Sequence, residues 1–136
     1  MTVSPAPPET GFVFRITNNN KKFEIKASFL NVSSTKLCTT ISDKLGNSVS
    51  TIEHILSALH GMDLDNIFID LDNKEVPVYD GSAQNFIEEI EKVGTIEQNS
   101  YKSFVKILKK VEVRDGDKLA RVLPFDYTLI TSEINH

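Results

Sequence analysis

Apolar and polar positions alternate along much of this chain, and the period of the alternation changes where the elements change. Phe12, Phe14 and Ile16 alternate with Val13, Arg15 and Thr17. Asn18, Asn19 and Asn20 mark a turn, and Phe23, Ile25 and Ala27 resume the pattern, which predicts a β-hairpin. Ahead of it Pro5, Pro7 and Pro8 remove backbone donors, so the opening segment reads as an edge or connecting stretch. A third extended piece runs over residues 36–41, with a turn at Asp43 to Asn47. The period then shifts to that of a helix. Ile52, Ile55, Leu56 and Leu59 form one stripe, Ser50 and Glu53 match a capping box at its start, and Gly61 is the expected stop.

A short buried strand is expected at Ile67 to Leu71, then an extended piece from Val76 to Tyr79. Ser82 is placed to cap a second helix whose apolar residues are Ala83, Phe86, Ile87, Ile90 and Val93, ending at Gly94. Strands are expected again at residues 104–108, 111–114, 119–123 and 127–134, with Asp115-Gly116 as a hairpin turn. Strands, helix, strand, helix, strands predict an α+β fold: a two-layer sandwich with two helices on one face of a mainly antiparallel sheet. Residues 1–136 are expected to form a single domain, a length that buries about 70% of the surface the unfolded chain exposes.

Composition narrows the partners. Apolar residues at 40% and charged residues at 25% are ordinary for a folded domain, so neither disorder nor a fibrous repeat is indicated. A net charge of −4 argues against a nucleic-acid backbone as ligand. The lone Cys38 forms no internal disulfide, which fits a cytoplasmic setting. The first residues lack the pattern of a signal peptide, and no apolar run approaches the ~20 residues of a membrane span.

Glu53 and His54 are the candidate chemistry. Adjacent helical residues point about 100° apart, so they cannot form the two-histidine face of a zincin. A carboxylate beside one histidine ligand can still act as general base at a zinc centre, but catalytic zinc commonly takes three protein ligands, and the other histidines are His60 and His136. From local pattern alone, Glu53 as a capping residue and His54 as a half-exposed helix histidine remains the stronger account. Asp80-Gly81-Ser82 likewise reads first as a turn and helix cap, and Cys38 as a small buried side chain.

Four segments in one order change that balance: L-C-T-T at residues 37–40, S-T-I-E-H at 50–54, D-N at 65–66 and E-V-P-V-Y-D-G-S-A at 75–83. Together with P-A-P-P-E-T-G-F-V-F-R at 5–15 and V-E-V-R-D-G-D-K-L-A-R at 111–121, they resemble the UDP-3-O-acyl-N-acetylglucosamine deacetylase family, the zinc enzymes of lipid A biosynthesis. The resemblance implies two similar α+β domains, of which this chain matches the first. It implies His54 as a zinc ligand, Glu53 as the catalytic carboxylate, Asp80 as a residue supporting the site, and Leu37 and Cys38 as residues lining it. The implied substrate is a UDP-linked acylated glucosamine. The family's other zinc ligands belong to a second domain, and that domain and the family's initial strand are expected to be absent from residues 1–136. A fragment of this kind is expected to be inactive by itself and to self-associate through an exposed domain face. Against this stand a non-catalytic binding or assembly module with the same fold and, last, an RNA-binding module.

Overall fold

The structure is a computed structural model that describes residues 1–18 and 21–134. It divides into two compact units, Met1–Ser100 and Tyr101–His136.

The first unit is built on a four-stranded sheet. Strands β1 (Thr2–Pro5), β2 (Phe12–Asn18) and β3 (Lys21–Lys26) lie in it with the later strand β7 (Ile67–Leu71), in the order β1-β7-β2-β3. The β2–β3 hairpin follows the expected alternation, while Asn19 and Asn20 of its expected turn lie outside the described residues. The proline-rich opening forms edge strand β1, antiparallel to β7, and β7 runs parallel to β2. A smaller sheet joins β4 (Val32–Ser34), β5 (Thr40–Ser42) and β6 (Ser48–Val49). Only the end of the extended piece expected at 36–41 is strand, because the chain from Thr35 to Thr39 turns away before pairing begins.

Two helices, α1 (Glu53–Gly61) and α2 (Gln84–Val93), pack on one face of the large sheet and touch each other. Alternation puts Phe14 and Ile16 of β2, Ile25 of β3 and Ile67, Ile69 and Leu71 of β7 on that face, where they meet Ile55, Ala58 and Leu59 of α1 and Phe86 of α2. This is the expected α+β sandwich. The opposite face is mixed: Arg15 bonds Asp70 through Nε at 2.8 Å, and its guanidinium lies 4.0 Å from the ring centre of Phe68, which pairs with Val13. One end of the sheet is tied by side chains. Asn66 accepts the Gly11 amide and donates to Gln98, which donates to the Ala6 carbonyl.

The second unit contains one hairpin, β8 (Val111–Asp115) and β9 (Lys118–Val122), with the turn at Gly116-Asp117. Glu112 gathers Lys110 at 3.2 Å and Arg114 at 3.0 Å. The strands expected at 104–108 and 127–134 do not form. Their alternating residues have no neighbouring strand to pair with, and Phe104, Val105, Leu129 and Ile130 are exposed. Among the described residues, no helix is long and apolar enough to cross a membrane.

Candidate active site

Helix α1 does not begin as a capping box. Its N-cap is Ile52, which makes no side-chain capping bond. Ser50 is engaged elsewhere: its amide and hydroxyl both donate to the Lys74 carbonyl, at 2.9 and 3.3 Å, and its own carbonyl accepts the Val76 amide at 3.1 Å. A long-range bridge between Ser50 and Glu75 has taken the groups that a local cap would use.

Glu53 is thereby released from capping. Its Oε2 accepts the backbone N–H of Thr39 at 3.0 Å, from a segment fourteen residues earlier. The Thr39 carbonyl in turn accepts the amide of Ile52 at 3.4 Å, so the loop before β5 and the start of α1 are joined through one residue. Oε1 of Glu53 makes no hydrogen bond to a described residue. A carboxylate fixed by one oxygen and open at the other is arranged to receive a proton.

His54 is half-buried in the same first turn, and its imidazole makes no hydrogen bond to a described residue. His60 is exposed in the last turn, about 9 Å further along the axis, and His136 lies outside the described residues. Leu37 and Cys38 lead into Thr39 and so reach the same corner. Leu37 is 99% exposed, and the half-buried, unpaired Cys38 has its Sγ 3.8 Å from Thr40 Oγ1.

Asp80 is held by a different set of partners. Its Oδ1 accepts the Ser82 amide at 3.0 Å, the Ser82 hydroxyl at 2.9 Å and the Asn85 amide group at 2.9 Å. The bonds from Ser82 keep the carboxyl below the usual aspartate range, with Asn85 adding to them. Neither a hydrogen bond nor an ion pair links Asp80 to Glu53 or His54 among the described residues. Ser82 is not the N-cap of α2, a position taken by Ala83 without a side-chain bond. The Ser82 hydroxyl does accept the Gln84 amide at 3.2 Å, from the position just before the N-cap.

Backbone strain marks the same places. Of the five non-glycine residues with positive φ among the described residues, Leu37 (68°) precedes Cys38, Thr51 (59°) lies two before Glu53, and Tyr79 (52°) precedes Asp80. Such conformations cost about 1–3 kcal/mol each and persist where surrounding contacts force them. Thr39, Thr51 and Glu75 are the contributors that sequence reasoning missed. All three lie inside the quoted motifs, but the contacts that give them a part, Thr39 to Glu53 and Thr51 to Glu75, span 14 and 24 residues and leave no local signal.

At this corner the His54 imidazole is a donor that could serve as one ligand of a cation. Among the described residues, no three histidine, cysteine, aspartate or glutamate side chains come together to hold a metal. An open cavity of about 260 Å³ in the second unit, lined by Lys106, Ile107, Pro124, Phe125 and Asp126, includes none of the candidate residues.

Comparison with known proteins agrees with the motifs. The UDP-3-O-acyl N-acetylglycosamine deacetylase family, LpxC, matches over residues 1–136. A relative from Pseudoalteromonas atlantica, a UDP-3-O-acyl-N-acetylglucosamine deacetylase, is 45% identical over 126 residues. That match covers 93% of this chain and 41% of the relative, so the chain spans about two fifths of the relative's length. A family match along the whole chain makes this protein a member of the UDP-3-O-acyl N-acetylglycosamine deacetylase family.

Proposed function

We propose that this chain supplies the first-domain half of a zinc-dependent deacetylase that releases acetate from UDP-3-O-acyl-N-acetylglucosamine, a step of lipid A biosynthesis carried out in the cytoplasm. The observation that carries the reading is the Glu53 carboxylate, gripped at Oε2 by the Thr39 amide and open at Oε1, beside an unpartnered His54.

Each residue then has a task. Glu53 accepts a proton from the attacking water and passes it to the departing amine, so the carbonyl carbon gains an oxygen as its bond to nitrogen breaks. Thr39 holds that carboxylate in one orientation through its backbone. His54 supplies one imidazole to zinc, and the resemblance assigns the remaining ligands to a second domain. Bound zinc supplies Lewis-acid polarisation and makes water acidic enough to lose a proton near neutral pH. Leu37 and Cys38 border the site, and Asp80 supports it by shaping the start of α2.

One ligand holds zinc weakly, so residues 1–136 alone are expected to be inactive and to lose zinc to a chelator. Chelator-resistant, stoichiometric zinc in the purified chain would overturn that expectation. The exposed Val111, Val113 and Val122 support self-association, visible as concentration-dependent sedimentation.

The deciding experiment mixes the chain with zinc and a second-domain polypeptide from the Pseudoalteromonas relative, then follows acetate release. Activity is expected in the mixture, falling about 10²–10⁴-fold for Glu53→Gln. Full activity with Glu53→Gln, or no activity from a mixture shown to hold zinc, would count against the proposal, and the second result favours a non-catalytic module.

A further inference from the structure

Thr51 is the one buried polar residue among the described residues, and its φ of 59° is one that a β-branched side chain rarely adopts. It sits between two fixed points. On one side Ser50 is bonded through its backbone to Lys74 and Val76. On the other, Ile52 is the N-cap of α1 and donates to the Thr39 carbonyl. The bend at Thr51 therefore decides the direction in which α1 leaves the bridge, and with it where the Glu53 and His54 side chains point.

At the bend itself Thr51 makes one side-chain bond. The Thr51 hydroxyl donates to Glu75 Oε1 at 2.9 Å, a charge-assisted bond across 24 residues. Neither of the two side chains bonds Glu53 or His54, so any effect they have travels through the backbone of residues 50–53.

We infer that Thr51 and Glu75 are a positioning pair, which holds the left-handed bend before α1 and so keeps the Glu53 carboxylate against the Thr39 amide. The catalytic consequence rests on the reading of Glu53 as proton carrier. The geometric consequence does not.

The test reads the Thr39 amide directly by nuclear magnetic resonance on the full chain. In the native protein this amide is expected to be protected from hydrogen exchange by its bond to Glu53. Thr51→Val keeps the branched shape and removes the hydroxyl. It is expected to lower Thr39 protection at least tenfold while Ile69, in the middle of β7, keeps its own. Thr51→Ser restores the hydroxyl and is expected to restore Thr39 protection to within about twofold. If Thr51→Val fails to fold, Glu75→Ala reads the same bond from an exposed position. In the acetate-release mixture, Thr51→Val is expected to lower kcat with little change in KM.

Unchanged Thr39 protection in a folded Thr51→Val or Glu75→Ala protein would overturn the inference. So would equal losses at Thr39 and Ile69, which signify general loosening. If Glu53→Gln retains full deacetylation, the proposed function fails, and the Thr39 amide still decides whether the pair positions α1.

Discussion

The two helices of the first unit begin in opposite ways. At α1 the organising carboxylate, Glu53, turns away from its own helix and grips a loop fourteen residues earlier. At α2 the organising carboxylate, Asp80, takes all its partners from the next five residues. Neither helix is capped by the side chain at its N-cap position, where Ile52 and Ala83 stand. A local network serves to start a helix, whereas a long-range one serves to hold a side chain that the helix presents. The difference marks α1 as the element whose beginning is shaped for something other than its own stability.

The depth of burial extends the contrast. Ile55, Ala58 and Leu59 are fully buried under α1, and Phe86 is the one buried residue of α2. Leu59→Ala is expected to cost about 2–5 kcal/mol in urea unfolding. A cost below about 1 kcal/mol would show that α1 is far less anchored than its burial implies.

The helix ends differ too. Gly94 closes α2 at φ 78°, while Gly61 is the last residue of α1 and φ turns positive only at Asp63. Gly94→Ala is therefore expected to destabilise by about 1 kcal/mol. Gly61→Ala meets open space and is expected to be neutral or stabilising by about 0.4–1 kcal/mol. Thermal melts of the two variants should move in opposite directions, and a common shift would erase this part of the contrast.

The smallest effect concerns acid. The folded-state pKa of Asp80 lies below its unfolded value, so the folded form binds that proton less readily. Its contribution is complete above the ordinary aspartate value of 3.8 and is lost as pH falls through the lowered folded value. Exchange at the Ser82 amide should accelerate in that window relative to Ile69. Asp80→Asn, which cannot ionise, should flatten the dependence.

These differences explain what the sequence disclosed. The hairpins β2–β3 and β8–β9, the strand β7 and the buried stripe of α1 are written in short-range periodicity, and they stand where alternation puts them. The Ser50–Glu53 pattern misled because a capping box is a local option, and Lys74 with Glu75 offered Ser50 and Thr51 stronger distant partners. Residues 104–108 and 127–134 alternate as strands do, yet alternation supplies no partner strand. The motifs singled out Glu53, His54 and Asp80. The Thr39 grip on Glu53 and the bend at Thr51 were not legible, since both are products of the folded chain.

Strand β7 lies between β1 and β2 although it follows β2 by about fifty residues and β1 by about sixty. As the chain leaves the ribosome, β1 therefore has no sheet neighbour until Ile67 to Leu71 emerges, and β2 has only β3. The segment in between carries the loop of Thr39 and all of α1. Pairings across so many residues raise the contact order, and folding slows as contact order rises. Chains stalled before residue 71 should expose Phe14, Ile16 and Ile25 together, a patch that a chaperone would meet before any substrate did.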